Sequence, residues 1–251
     1  MTKSPLKIAI LGAASGIAQA TARIYAQEGA ELTLLGRNEN HLNEIAADLR
    51  LKGAKNVETL IVDFTKADPV KTLNNIKAQM GGLDHILICY GIMSEQSEAE
   101  NDPELAQKMI EVNFASTSAW ALASANLLEE ENAGSLIVLG SVAGDRGRRS
   151  NYIYGASKAG IEILVQGIAH RFAGKGVKAR ATLIKPGPTD TAMTAGMEKG
   201  GFLWATPEQV AKVIRKSADK GAPIVYAPRR WQLIMLIISF IPSFVFNKMN
   251  F

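Results

Sequence analysis

Cysteine is almost absent. Cys89 is the single one in 251 residues, which excludes an intrachain disulfide framework and suits a reducing compartment. Set in the apolar run His85-Ile86-Leu87-Ile88-Cys89, it reads as a small buried side chain rather than a reactive thiol. Histidine is scarce as well, and His41, His85 and His170 show no ligand spacing, so no metal is expected. Basic residues outnumber acidic ones by only 28 to 24, a net charge of +4. No Lys/Arg-rich run exceeds a few residues, and no basic stripe is interleaved with aromatics, which argues against nucleic acid. An anionic ligand or an anionic membrane surface is compatible with the mild positive charge. The lead-in Met1-Thr2-Lys3-Ser4-Pro5 reaches the first apolar run too soon for a signal peptide, so a cytoplasmic location is expected.

What the chain has instead is alternation. Short apolar runs read as strands at Lys7 to Leu11, Glu31 to Leu35, Val57 to Val62, Leu83 to Cys89, Leu136 to Leu139, Arg180 to Ile184 and Ile224 to Tyr226. Helical patterns separate them. One is capped by Asn38 and carries Leu42, Ile45, Ala46 and Leu49; another opens at Asp68-Pro69; a long one runs from Pro103 to about Glu129. This spacing predicts an α/β fold, a single doubly wound parallel sheet of about seven strands covered on both faces. Residues 1–228 read as one domain without repeat or linker, and residues 229–251 as a hydrophobic C-terminal extension.

The first strand ends in Gly12-Ala13-Ala14-Ser15-Gly16-Ile17-Ala18 and a helix follows, the context in which a glycine turn cradles a pyrophosphate. Gly12 permits the tight turn, and Gly16 lets the backbone approach the phosphates. The second strand ends Leu35-Gly36-Arg37-Asn38, without the acidic residue that would hold the ribose hydroxyls of NAD. Arg37 offers a planar cation to a 2′-phosphate, which favours NADP(H) over NAD(H).

Tyr154 and Lys158 are four residues apart and share a helical face. A phenol titrates at about 10 in water, and a neighbouring ammonium favours the phenolate, so the pair makes a tuned proton donor. Ser141 lies thirteen residues before Tyr154, just after the fifth strand, and Asn113 sits inside the long helix. The glycine turn, Asn113, Ser141, Tyr154 and Lys158 together resemble the short-chain dehydrogenase/reductase family in type, order and spacing, over about residues 6–228. The resemblance implies a Rossmann fold, an NADP(H) or NAD(H) cofactor and a catalytic tetrad. In that tetrad Tyr154 protonates a carbonyl oxygen as hydride reaches carbon, and Ser141 hydrogen-bonds the oxygen. Lys158 lowers the tyrosine pKa and grips the nicotinamide ribose, and Asn113 holds a water that replaces the proton. It further implies cofactor contacts at Gly12, Ser15, Gly16 and Ile17 in the turn, at Arg37, at Asp63 near the adenine, and at Gly91 beside the ribose. Tyr154 and Lys158 join them, as do Pro186, Gly187 and Thr189 at the nicotinamide. Ala18 replaces the last glycine of the family's turn, and Cys89-Tyr90-Gly91 stands where the family usually has Asn-Ala-Gly. The family is commonly dimeric or tetrameric, so a homo-oligomer is expected.

Two further stretches bear on substrate. Ala143-Gly144-Asp145-Arg146-Gly147-Arg148-Arg149-Ser150-Asn151 and the tail from Tyr226 to Phe251 are similar to one branch of the family. It contains the reductase subunit of decaprenylphosphoryl-ribose 2-epimerase, and implies a polyprenyl-phosphate-linked keto-sugar. A steroid, acyl or other apolar ketone is the competing substrate, and a non-catalytic nucleotide-sensing protein the competing function. Arg146, Arg148 and Arg149 are candidates for a substrate phosphate or for solvated loop positions. Asp190 to Ala205, holding Gly196, Gly200 and Gly201, reads as the mobile substrate loop. In the tail, Leu233 to Ile241 is nearly unbroken in hydrophobicity but far short of the about 20 residues a membrane span needs. Arg229, Arg230, Trp231 and Lys248 around it suit a segment resting peripherally among headgroups on the inner membrane face. A substrate lid and a core or subunit-interface helix are the other readings.

Overall fold

Strands buried on both faces must read as continuous apolar runs, and those at the centre of this sheet do. The computed structural model describes residues 4–249, so Met1 to Lys3 of the lead-in and Asn250 and Phe251 of the expected extension lie outside the described residues. Its strands are β1 (Lys7–Leu11), β2 (Glu31–Gly36), β3 (Asn56–Ile61), β4 (His85–Ile88), β5 (Ser135–Leu139), β6 (Arg180–Pro186) and β7 (Ile224–Ala227). They form one parallel sheet in the order β3-β2-β1-β4-β5-β6-β7. Ile10 at the centre pairs with Leu34 on one side and Leu87 on the other. The doubly wound α/β sheet expected from the alternation is therefore the fold.

Helices cover both faces. Against one face pack α1 (Gly16–Gln27), α2 (Glu39–Leu51) and α8 (Pro207–Lys220), burying Tyr25, Leu42, Leu49 and Ile214 on Ile10 and Leu34. Against the other pack α3 (Pro69–Met80), α6 (Thr117–Glu131) and α7 (Tyr152–Gly174), burying Trp120, Leu128, Ile161 and Phe172 on Leu11 and Val138. Helix starts follow the capping residues. Ser15, Asn38 and Asp68 accept from the amides of Ala18, His41 and Lys71 at 3.2, 3.1 and 3.0 Å.

Two features depart from the sequence pattern. A short helix, α4 (Gln96–Asn101), fills the connection after β4. The expected single helix from Pro103 is α5 (Pro103–Ile110), a π-helical turn at Glu111–Ser116, and then α6. A π turn inserts one residue into the helical ladder, and such insertions tend to sit at functional positions. Here it carries Asn113, which is wholly buried.

The tail folds back onto the domain as α9 (Arg230–Phe240) and α10 (Ser243–Phe246). Trp231 and Met235 bury themselves on Val142, beside Tyr226. The opposite face of α9 presents Leu233, Leu236, Ile237 and Phe240, the last 80% exposed. No helix among the described residues is long and apolar enough to cross a membrane.

Candidate active site

The chain reverses its winding between β1 and β4, and loops leaving the carboxyl ends of adjacent strands line a crevice there. Gly12 opens the first of them. Its φ is 82°, and a Cβ on it would lie 2.7 Å from the amide nitrogen of Tyr90, so only glycine lets the turn pass the loop after β4. The amides of Gly12 and Ala13 both donate to Leu35 O, at 2.9 and 3.0 Å, which ties the turn to the end of β2. Ser15 is the N-cap of α1, Ile17 is buried, and Gly16 faces Thr191 at van der Waals distance. The positive end of α1 is thus presented at the crevice, where an anion is favoured. Ala18 is fully buried, as its small size requires.

Arg37 lies exposed just past β2. Asp63 follows β3 and accepts from the amide and hydroxyl of Thr65 at 3.0 and 2.7 Å. Those bonds hold its carboxyl below the usual range. The departure at Cys89-Tyr90 has a packing explanation. The Tyr90 ring stacks on Phe64 at 4.2 Å between centroids, and its hydroxyl meets Ser116 Oγ at 2.9 Å. Trp120 meets Phe64 edge-on and donates to its carbonyl at 3.0 Å. Cys89 is buried and its thiol is pushed up to about 12, in keeping with an inert core residue.

Asn113 and Lys158 meet at Gly91, with Tyr154 beside Lys158 and Ser141 beside Tyr154. A Cβ on Gly91 would fall 3.0 Å from Asn113 Oδ1 and 3.5 Å from Lys158 Nζ, so bare backbone is needed between them. Asn113 uses both ends of its amide on one residue: Oδ1 accepts from Ile92 N and Nδ2 donates to Ile92 O, each at 2.8 Å. The side chain therefore fixes the loop after β4. Lys158 reaches through the core to donate to Leu139 O at 3.1 Å, with its Nζ 5.7 Å from the centre of the Tyr154 ring. Ser141 ends the β5 loop, accepting from Ala143 N at 3.1 Å and hydrogen-bonding the Tyr154 phenol.

The electrostatics differ from the sequence expectation. Burial pushes the Tyr154 phenol up to about 12, and the Ser141 hydrogen bond pulls against it. Burial also brings Lys158 down to about 8. Desolvation thus favours the protonated phenol, the form a proton donor needs.

At the other end of the crevice, Pro186 and Gly187 close β6. The Thr189 hydroxyl donates back to Gly187 O at 2.9 Å. The tail covers this turn: a Cβ on Gly187 would lie 1.9 Å from Trp231 Nε1, which donates to Leu203 O at 3.1 Å. Arg230 donates to Trp204 O at 2.7 Å. Arg146 does not face the crevice as a free cation. Its guanidinium donates to the carbonyl of Ile241 at 2.6 Å and to that of Ile238, and lies 3.7 Å from the centre of the Phe246 ring. It caps the carboxyl end of α9. Among the described residues no group of three or more His, Cys, Asp or Glu is placed to hold a metal ion.

The sequence did not announce the Tyr90 stack on Phe64, Trp231 as a neighbour of Gly187, or Arg146 as a cap. An aromatic beside the β4 glycine and a tryptophan opening the tail were the available signals.

The chain is similar to known proteins along most of its length. Residues 7–200 match the family model described as short chain dehydrogenase. An uncharacterized oxidoreductase of Streptomyces coelicolor is 32% identical, over 98% of this chain and 96% of its own. An uncharacterized oxidoreductase of Mycobacterium tuberculosis is 31% identical over 96% of each chain. Among solved structures, a short chain dehydrogenase/reductase family protein superposes with a TM-score of 0.76 at 27% identity, covering 88% of this chain and 95% of its own. A short-chain dehydrogenase from Sphingobium yanoikuyae in complex with NADPH gives 0.79 at 22% identity, covering 95% and 97%. The chain belongs to the short-chain dehydrogenase/reductase family and is an oxidoreductase of that family.

Proposed function

We propose that this oxidoreductase reduces a carbonyl with NADPH, Tyr154 giving the proton. The chain of neighbours from Asn113 and Lys158 at Gly91 to Tyr154 and Ser141 carries the reading. The residues fit a dinucleotide, since the start of α1, with Ser15 at its cap, presents its positive end at the crevice where a pyrophosphate is favoured. NADPH, when bound, supplies the hydride. Ser141 orients the substrate oxygen toward the phenol, and the protonated phenol donates as negative charge develops there. Lys158 stands behind the tyrosine to stabilise the phenolate left by donation. Asn113 holds the loop that carries Gly91. The exposed Arg37 and the NADPH-bound structural neighbour support NADP(H) over NAD(H).

The substrate reading is a polyprenyl-phosphate-linked keto-sugar. The loop after β6 and the tail support it, because Met193, Met197, Phe202 and Leu203 are exposed, as are Leu233, Leu236, Ile237 and Phe240 of α9. An apolar surface of that extent suits a lipid chain or a bilayer surface. Residues 229–251 then act as a peripheral membrane contact on the cytoplasmic side, appended to a catalytic domain of residues 1–228 that assembles as a homo-oligomer. A second reading, an apolar ketone without phosphate, is favoured by the engagement of Arg146 with α9, which removes one candidate phosphate ligand. Turnover of extracted polyprenyl-linked keto-sugar against simple apolar ketones separates them. Preference for the lipid-linked sugar supports the first reading, and equal or lower turnover of it sinks that reading.

A further inference from the structure

Four titratable side chains that the proton transfer does not use meet beneath the Ser141 loop. Lys185, 1% exposed, sits near the end of β6 directly before Pro186 and Gly187. It donates to the Asp145 carboxylate and to Glu162 Oε2, the latter at 2.5 Å. Tyr226 of β7 donates to the other Asp145 oxygen at 2.9 Å, and Lys185 Nζ lies 5.0 Å from the centre of its ring. Glu162 lies one turn beyond Lys158 on α7. Four elements, β6, β7, α7 and the turn after Ser141, are thereby joined through the Asp145 carboxylate and the Lys185 ammonium.

A buried ion network is a weak source of stability, because apolar side chains of the same volume avoid the desolvation cost. Its geometry serves a different end. Both Asp145 oxygens are bound, so the short 3-10 turn Val142–Gly144 is fixed at its far end. Ser141 caps the near end of that turn. On its α7 side the turn has no slack: a Cβ on Gly144 would lie 2.9 Å from Ala159 N, and one on Gly155 2.7 Å from Ala143 O.

We propose that Asp145 is a positioning residue for Ser141, held by Lys185 and Tyr226, with Glu162 fixing the ammonium from the α7 side. This rests on the reductase reading above. Single-turnover reduction of phenanthrenequinone by NADPH is to be measured for the native protein, Tyr226→Phe, Asp145→Asn and Ser141→Ala, and for both substitutions in the Ser141→Ala background. Loss of one hydrogen bond to a carboxylate lowers the rate about fivefold for Tyr226→Phe, and loss of the charge about fiftyfold for Asp145→Asn. The NADPH dissociation constant stays within about twofold, and in the Ser141→Ala background neither substitution lowers the rate further. Tyr226→Phe removes a single hydroxyl and keeps the test open should Asp145→Asn misfold. Losses that persist undiminished in the Ser141→Ala background overturn the positioning role, as do losses confined to NADPH affinity. A native protein no faster than Ser141→Ala overturns the reductase reading and this proposal together.

Discussion

The indole of Trp231 occupies the space that any side chain at position 187 would need, with its Nε1 1.9 Å from where a Gly187 Cβ would stand. The contact joins the tail to the turn expected to meet the nicotinamide. Tail and turn are therefore one packed unit, and a change on either side is transmitted to the other.

Gly187→Ala should push the indole or the turn aside and weaken NADPH binding by about tenfold or more, read by fluorescence titration. Trp231→Ala should destabilise the protein by about 3 kcal/mol through the cavity it leaves on Val142 and Met235. Combining the two should recover most of the NADPH affinity lost in Gly187→Ala. No recovery would show that the turn, and not the indole contact, rejects the methyl group.

Asn113→Leu removes two hydrogen bonds to Ile92 at a wholly buried position. Leaving both backbone groups unpaired should cost about 2 kcal/mol or more in urea unfolding. The rate of carbonyl reduction should fall as well, because Gly91 is adjacent. A variant as stable as native contradicts the assigned role.

The two reporters of a sequence, periodicity and local spacing, showed the sheet and the glycine turn clearly. Runs such as Ile8-Ala9-Ile10-Leu11 are apolar on both faces because helices cover both sides. Asn38 and Asp68 announced their helices because capping is local chemistry. The order Asn113, Ser141, Tyr154, Lys158 was legible as well. The π turn was not, since it depends on Asn113 bonding Ile92, a residue distant in sequence. Lys185 gave no sign of burial, because its partners Asp145, Glu162 and Tyr226 come from three other elements. Arg146 looked like an open loop cation for the same reason, its acceptors lying more than ninety residues away in the tail.

Arg37→Ala should raise the NADPH dissociation constant about tenfold and leave that of NADH within about twofold, since only the 2′-phosphate loses a partner. Isothermal titration with both cofactors decides it. Equal weakening of the two would remove the basis for NADP(H) preference.

His85, buried against the Tyr25 hydroxyl at 2.9 Å, is lowered from 6.5 to about 4 by burial. Between those values the unfolded chain binds a proton that the folded protein does not. Stability from this group is therefore complete above pH 6.5 and is lost as pH falls toward 4. The total is on the order of 3 kcal/mol. The urea midpoint of the native protein should fall more steeply across that window than that of His85→Gln. Parallel curves contradict the assignment.

The proposed reaction is hydride delivery to a carbonyl with Tyr154 as the proton donor. The most direct measurement is reduction of a ketone by NADPH deuterated at the transferable position of the nicotinamide, comparing native protein with Tyr154→Phe. Deuterium should appear on the carbinol carbon, and Tyr154→Phe should lose about a hundredfold or more in rate. Deuterium absent from that carbon, or a variant within a few-fold of native, would contradict it.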